Sequence, residues 1–302
     1  MKNLTFGIEI ELTGVSRERA AKTVTEHFGT HAHYIGGGYD KWQVAGSDGR
    51  SWTIVNDSSI RPQAKRQGRR VATGADFRVE LVSPICRYED IETVQKLIRA
   101  LREAGAFANR TCAIHLHVGK DRFSARTLRN LVNIVASKED LIYQALNVYR
   151  DREQRYCQRV SGHFLVELNR QKPKELEQLA DIWYAGYNGR RSARYHSSRY
   201  HGLNLHSVFY GPTVEFRFFN GTTHAGKAKA YIQFCLSVCA QALSQRSASA
   251  KKTVTTNPKY TFRTWLLRLG MIGDEFKTAR LHLLANLEGD SAFRNGRQAV
   301  GF

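Results

Sequence analysis

No apolar run in this 302-residue chain approaches the roughly 18 residues that span a bilayer, so no membrane partner is expected. No signal-peptide core follows Met1-Lys2-Asn3-Leu4, which passes at once into an alternating segment; the expectation is a soluble cytoplasmic protein. Five cysteines, at 86, 112, 157, 235 and 239, show neither Cys-x-x-Cys nor a Cys/His zinc spacing, which argues against a disulfide framework and structural zinc. Gly36-Gly37-Gly38 lacks the Gly-Lys-Ser/Thr ending of a P-loop, and there is no Gly-x-Ser-x-Gly elbow. Internal repeats and low-complexity linkers are absent too. Carboxylates are outnumbered, 27 Asp and Glu against 46 Lys and Arg, for a net charge of +19. Such charge draws phosphates, nucleic acid or acidic partners, and a merely solvated basic surface is the equal alternative. It is concentrated in Arg61–Arg70 and Arg190–Arg199. Both runs lie between candidate strands and read as loops over one end of a sheet.

Strands and helices alternate along the chain. Leu4–Leu12 reads as a strand, and Ser16 opens a helix that Gly29 stops. Strand candidates follow at Tyr39–Val44, Ser51–Val55 and Phe77–Val82. An amphipathic helix carries Ile91, Val94, Ile98 and Leu101. Ala113–Val118 is another strand. Ser124 opens a long helix, and Ser137-Lys138-Glu139-Asp140 resembles a capping box that restarts or kinks it. A helix over Glu175–Tyr184 precedes strands at Leu203–Phe209 and Thr213–Phe219, joined by a Tyr210-Gly211-Pro212 turn. Lys227 to about Ala242 is apolar all round and reads as a buried helix. Composition shifts past Arg246, which divides the chain into a main domain, 1–246, and a C-terminal helical appendage and tail, 247–302.

Four of these strands share one design. Residues two apart in a strand lie on one face. Phe6, Ile8, Ile10 and Leu12 therefore oppose Glu9 and Glu11, and Val79 and Leu81 oppose Glu80. Ile114, Leu116 and Val118 oppose His115 and His117; Val214, Phe216 and Phe218 oppose Glu215 and Arg217. Carboxylates crowded on one face repel and raise each other's pKa, and a divalent cation removes that conflict. Several carboxylates with one or two imidazoles suit Mg2+ or Mn2+ better than structural zinc. Arg217 adds a planar, permanently charged fork for phosphate or carboxylate.

The segments Phe6-Gly7-Ile8-Glu9-Ile10-Glu11, Trp52–Ile60, Val79–Pro84, Ile114–Gly119, Arg199–His206 and Thr213–Thr222 together resemble, in this order, the amidoligase family. These are carboxylate–amine ligases related to glutamine synthetase and glutamate–cysteine ligase. The resemblance implies an α+β fold with a curved antiparallel sheet of glutamine-synthetase catalytic-domain type, helices on its apolar face and ATP with Mg2+ on its polar concave face. It implies metal ligation by Glu9, Glu11, Glu80, His115 and Glu215, and phosphate held by Arg217. It also implies nucleotide or carboxylate binding by His117, Arg199, Tyr200, Asn204 and Asn220, with Asp57 near the substrates. The expected partners are small-molecule or peptide carboxylates and amines.

The expected reaction is ATP-dependent amide formation through an acyl phosphate. A metal-dependent hydrolase or nuclease on the same face is one rival. A basic nucleic-acid-binding protein is another, and it leaves the inward acidic residues unexplained.

Overall fold

The computed structural model describes residues 1–295. The chain divides into two compact units. One comprises residues 2–117 and 219–232; the other comprises residue 1, residues 118–218 and, of the described residues, those from Gln233 to Asn295.

The first unit begins with β1 (Phe6–Leu12), where Phe6, Ile8, Ile10 and Leu12 are all buried as the alternation requires. Burying each such side chain contributes about 1.5–3 kcal/mol. Helix α1 (Arg17–Phe28) starts on Ser16, whose hydroxyl accepts the Arg19 N–H, and ends on Gly29 in the left-handed region. Then come β2 (Ala32–Gly36), β3 (Lys41–Ala45), β4 (Ser51–Val55), β5 (Gln63–Arg66), β6 (Arg69–Ala72) and β7 (Val79–Val82). Helix α2 (Ile91–Glu103) and β8 (Ala113–Gly119) follow, β8 ending just inside the second unit. The sheet order is β2-β3-β4-β7-β1-β8, with antiparallel pairing from β2 through to β1. Helix α1 turns Ala20, Ala21 and Val24 inward and packs on β3, β4 and α2. The small alanines let it approach closely. The Arg17 guanidinium, almost fully buried, donates to Asp40 and to the carbonyls of Ala75 and Arg78, which ties the helix to the loop before β7.

The second unit holds α3 (Ala125–Leu146), α4 (Arg150–Arg155), α5 (Gly162–Gln171), α6 (Leu176–Tyr184), β9 (Leu203–Asn204) and α7 (His206–Tyr210). Most of β10 (Thr213–Asn220) and the second part of α8 (Ala225–Ser244) belong to it, with α9 (Pro258–Arg268) and α10 (Lys277–Leu284). Phe234 of α8 meets Phe262 and Trp265 of α9, with centroids 6.1 and 5.6 Å away. Among the described residues, no helix is long and apolar enough to cross a membrane. All five cysteines are buried free thiols.

Three expectations need correction. The basic run 61–70 is not a loop: β5 and β6 form a hairpin around Gln67-Gly68, both at positive φ (50° and 76°), the geometry of a type I′ turn. Leu203–Phe209 is not a full strand. Asn204 accepts the His206 N–H at 2.8 Å and Ser207 donates to the Asn204 carbonyl at 2.9 Å, and these local bonds turn the chain into α7. Strand β2 and helices α4 and α5 had no clear periodic signal. Finally, α3 runs unbroken for 22 residues. Ser137 does not cap a new start; its hydroxyl donates to the Ile134 carbonyl, and Glu139 accepts the Val160 N–H at 2.8 Å.

Burial pushes the Glu139 carboxyl up to about 7, only partly offset by the Val160 N–H and Arg159. Its folded pKa therefore lies above its ordinary value of 4.5, and the folded state holds the proton more tightly. The contribution favours folding below about pH 4.5 and is lost as pH rises towards 7, a swing of about 3 kcal/mol. Glu139→Gln keeps an acceptor for Val160 and removes the titration. Urea unfolding should find the variant more stable than the parent at pH 8, with the difference vanishing near pH 4.5. A constant difference across that range would refute the assignment.

Candidate metal and phosphate residues

Register decides which carboxylates meet in the first unit. The β1–β7 pairing sets Glu11 directly opposite Glu80, and the β4–β7 pairing puts Val55 on the other side of Glu80. Strand β8, next to β1, supplies His115 and His117. Glu11 and His115 are buried, while Glu9, Glu80 and His117 are half-buried.

Glu11 accepts the Ala113 N–H at 2.7 Å through Oε2, and its Oε1 lies 3.8 Å from His115 Nε2. His115 Nδ1 lies 3.1 Å from Glu9 Oε2, and His117 Nε2 lies 3.4 Å from Glu9 Oε1. Burial alone would raise the Glu9 carboxyl. His117 and then His115 outweigh it and hold the group well below the usual carboxylate range.

An imidazole between two carboxylates presents a proton to each or shares one side with a cation. A proton on Nδ1, donated to Glu9, turns the Nε2 lone pair towards Glu11. Carboxylate–imidazole–metal chains use this arrangement to fix the tautomer of a ligating histidine.

Donor atoms of Glu11, Glu80 and His115 lie within 4.8 Å of one another. Ligands about 2.1 Å from an octahedral ion stand roughly 3.0 Å apart when adjacent and 4.2 Å when opposite. The three donors thus close on one ion with small side-chain adjustments. Two carboxylates and one imidazole fit Mg2+ or Mn2+.

Asp57 sits in the turn after β4, half-buried, where its Oδ1 accepts the Ser59 N–H at 2.6 Å. Burial pushes the nearby Cys112 thiol up to about 12, and Glu11 and Asp57 add to that rise. Asn220, at the end of β10, is half-buried and belongs to this unit.

In the second unit Glu215 and Arg217 stand two apart on β10, both buried, and form an ion pair. Strand β9 sets Asn204 opposite Glu215, and its Nδ2 donates to Glu215 Oε2 at 2.6 Å. Arg217 Nε donates to the Tyr156 carbonyl at 3.3 Å, and its backbone N–H reaches the Gly202 carbonyl at 2.8 Å. Arg199 lies between Tyr195 and Tyr200, 5.1 and 5.6 Å from their ring centroids. Tyr200 in turn meets Tyr156 edge to face.

Sequence reasoning missed the support around Arg217. The buried Arg152 donates to the Arg217 carbonyl at 2.8 Å. Nothing in the sequence could have signalled this, because an arginine bound to a backbone carbonyl imposes no residue pattern on its partner.

The structure therefore brings Glu9, Glu11, Glu80, His115 and His117 together in one unit. It brings Asn204, Glu215 and Arg217 together in the other. No curated protein matches the chain. A family model described as "Putative amidoligase enzyme" matches residues 2–239 and so covers both sets of residues. The chain belongs to the amidoligase family.

Proposed function

We propose that the protein is an ATP-dependent carboxylate–amine ligase using Mg2+ or Mn2+, built on a glutamine-synthetase-type catalytic sheet. The observation that carries this reading is the Glu11, Glu80 and His115 donor set on neighbouring strands of a family member. Glu11, Glu80 and His115 Nε2 hold the ion in this proposal, and Glu9 orients His115 through Nδ1. The ion supplies charge neutralisation at the phosphate oxygens when bound. By resemblance, Glu215 is a further ligand and Arg217 takes the charge of the transferred phosphate. His117, Arg199, Tyr200, Asn204 and Asn220 are assigned to nucleotide or carboxylate, and Asp57 to the substrates.

In the proposed reaction a carboxylate oxygen takes the γ-phosphoryl group and ADP leaves. The amine then attacks the acyl carbon, phosphate departs, and the amine loses a proton. Phosphoryl transfer depends mostly on positioning and charge neutralisation, roles that suit an ion held by carboxylates and, by resemblance, a guanidinium.

Hydroxylamine trapping tests this. With Mg-ATP or Mn-ATP and a panel of small and peptide carboxylates, hydroxamate and ADP should form together. Metal-dependent turnover of phosphodiesters or amides without ATP would replace the ligase reading with a hydrolytic one.

A further inference from the structure

The hairpin found in place of a loop carries charges that the ligase reading does not use. Between Asp57 and Asp76 the chain has five cations, Arg61, Lys65, Arg66, Arg69 and Arg70, and no carboxylate. The β5–β6 register sets Lys65 directly opposite Arg70 and Arg66 directly opposite Arg69, all four exposed. Such cross-strand partners hold their Cβ atoms about 4.5–5.5 Å apart, and like charges there destabilise the pair.

Lys65 and Arg70 have a partial remedy in the Phe107 ring, 5.3 and 4.5 Å from its centroid. Arg66 and Arg69 have no aromatic neighbour of that kind among the described residues, and none of the four cations is ion-paired among them.

The base of the hairpin is nonetheless held firmly. Gln63 exchanges hydrogen bonds with Thr13 at 2.8 and 2.9 Å and accepts from Asn109 at 3.0 Å. Asn109 also reaches the Arg61 carbonyl, and Thr111 accepts the Arg61 N–H. An anchored ribbon thus projects four cations without ion-pair partners among the described residues, two of them eased only by the Phe107 ring, an arrangement that an approaching polyanion stabilises.

We propose that the β5–β6 hairpin is a docking ribbon for the phosphate backbone of duplex nucleic acid. The exposed residues from Lys65 to Arg70 are only Lys, Arg, Gln and Gly. A peptide partner draws its affinity from buried apolar anchors, which this tip lacks. Phosphate binding needs charge alone, because it is driven by release of counterions. A two-stranded ribbon also fits the major groove of B-form DNA, about 12 Å wide. The inference stands apart from the ligase reading and survives its failure.

The test is fluorescence anisotropy of the whole chain with a labelled 20-base-pair DNA duplex, a matching RNA duplex and poly-glutamate. Four phosphate contacts should give a log–log salt slope of about −3.6, so affinity falls roughly 150-fold between 50 and 200 mM salt. Lys65→Gln/Arg66→Gln/Arg69→Gln/Arg70→Gln should lose about that much slope, and Arg66→Gln/Arg69→Gln about half of it. The double variant should melt no lower than the parent at low salt, since it relieves a like-charge pair; this guards against misfolding as the cause. Either duplex binding in this way supports the proposal. An unchanged slope in both variants overturns it, as does preferential binding of poly-glutamate or no duplex binding at 50 mM salt.

Discussion

Glu80→Gln should raise the melting temperature of the metal-free protein and, in the same variant, remove half or more of the stabilisation expected from Mn2+ at the proposed site. Both effects follow from the register that sets Glu80 opposite Glu11. Two carboxylates directly across a strand pair cost about 0.2–1 kcal/mol. Neutralising the half-buried member removes that repulsion, worth about 0.3–1.6 °C in a chain of this size. With metal the sign reverses. An ion at 100 times its dissociation constant stabilises the fold by about 2.7 kcal/mol. Loss of one anionic ligand that weakens binding 10- to 100-fold removes about 1.3–2.3 kcal/mol of it.

Glu9→Gln should behave differently. Glu9 touches both imidazoles, so its loss should weaken Mn2+ binding through His115 without raising the metal-free melting temperature. Differential scanning fluorimetry with and without Mn2+ distinguishes the two variants. A Glu80→Gln protein that melts lower without metal, or keeps the full Mn2+ shift, would remove Glu80 from the site.

Part of this arrangement is legible in the amino-acid sequence alone. A period of two in β1, β7, β8 and β10 sorts apolar from charged residues whatever the tertiary context, because the alternation is built into the strand. That is why Glu9, Glu11, Glu80, His115 and Glu215 could be named together. The contact between Glu215 and Arg217 follows from the same spacing.

What alternation leaves out is register. That Glu11 faces Glu80, or that Asn204 faces Glu215, depends on which residues pair, and β9 is only two residues long. The β5–β6 hairpin was hidden for a related reason. Four Lys and Arg residues across six positions have low strand propensity, and Gln-Gly is an uncommon turn pair. Arg152 was invisible because its partner is a carbonyl.

Arg217→Met should be the most destabilising single change in the second unit. Glu215 is about 5% exposed, and the Arg217 guanidinium forms an ion pair with it. Removing one member of a buried ion pair typically costs about 3–5 kcal/mol, most of it from the charge left behind. Asn204 would still donate to Glu215 Oε2, but a neutral amide offsets only part of that penalty. The cost should therefore fall sharply in Glu215→Gln/Arg217→Met, where neither charge remains and the side-chain volumes are nearly kept. Arg217→Lys should lie between them, because an ammonium keeps the charge but loses the fork that spans Glu215 and the Tyr156 carbonyl. A urea double-mutant cycle reads all three. A single variant costing less than about 1 kcal/mol, or a double variant no better than the single, would mean that Arg217 is not held there chiefly to balance Glu215. Activity separates the second role: if the guanidinium also takes the charge of a transferred phosphate, the stable double variant should still form no hydroxamate.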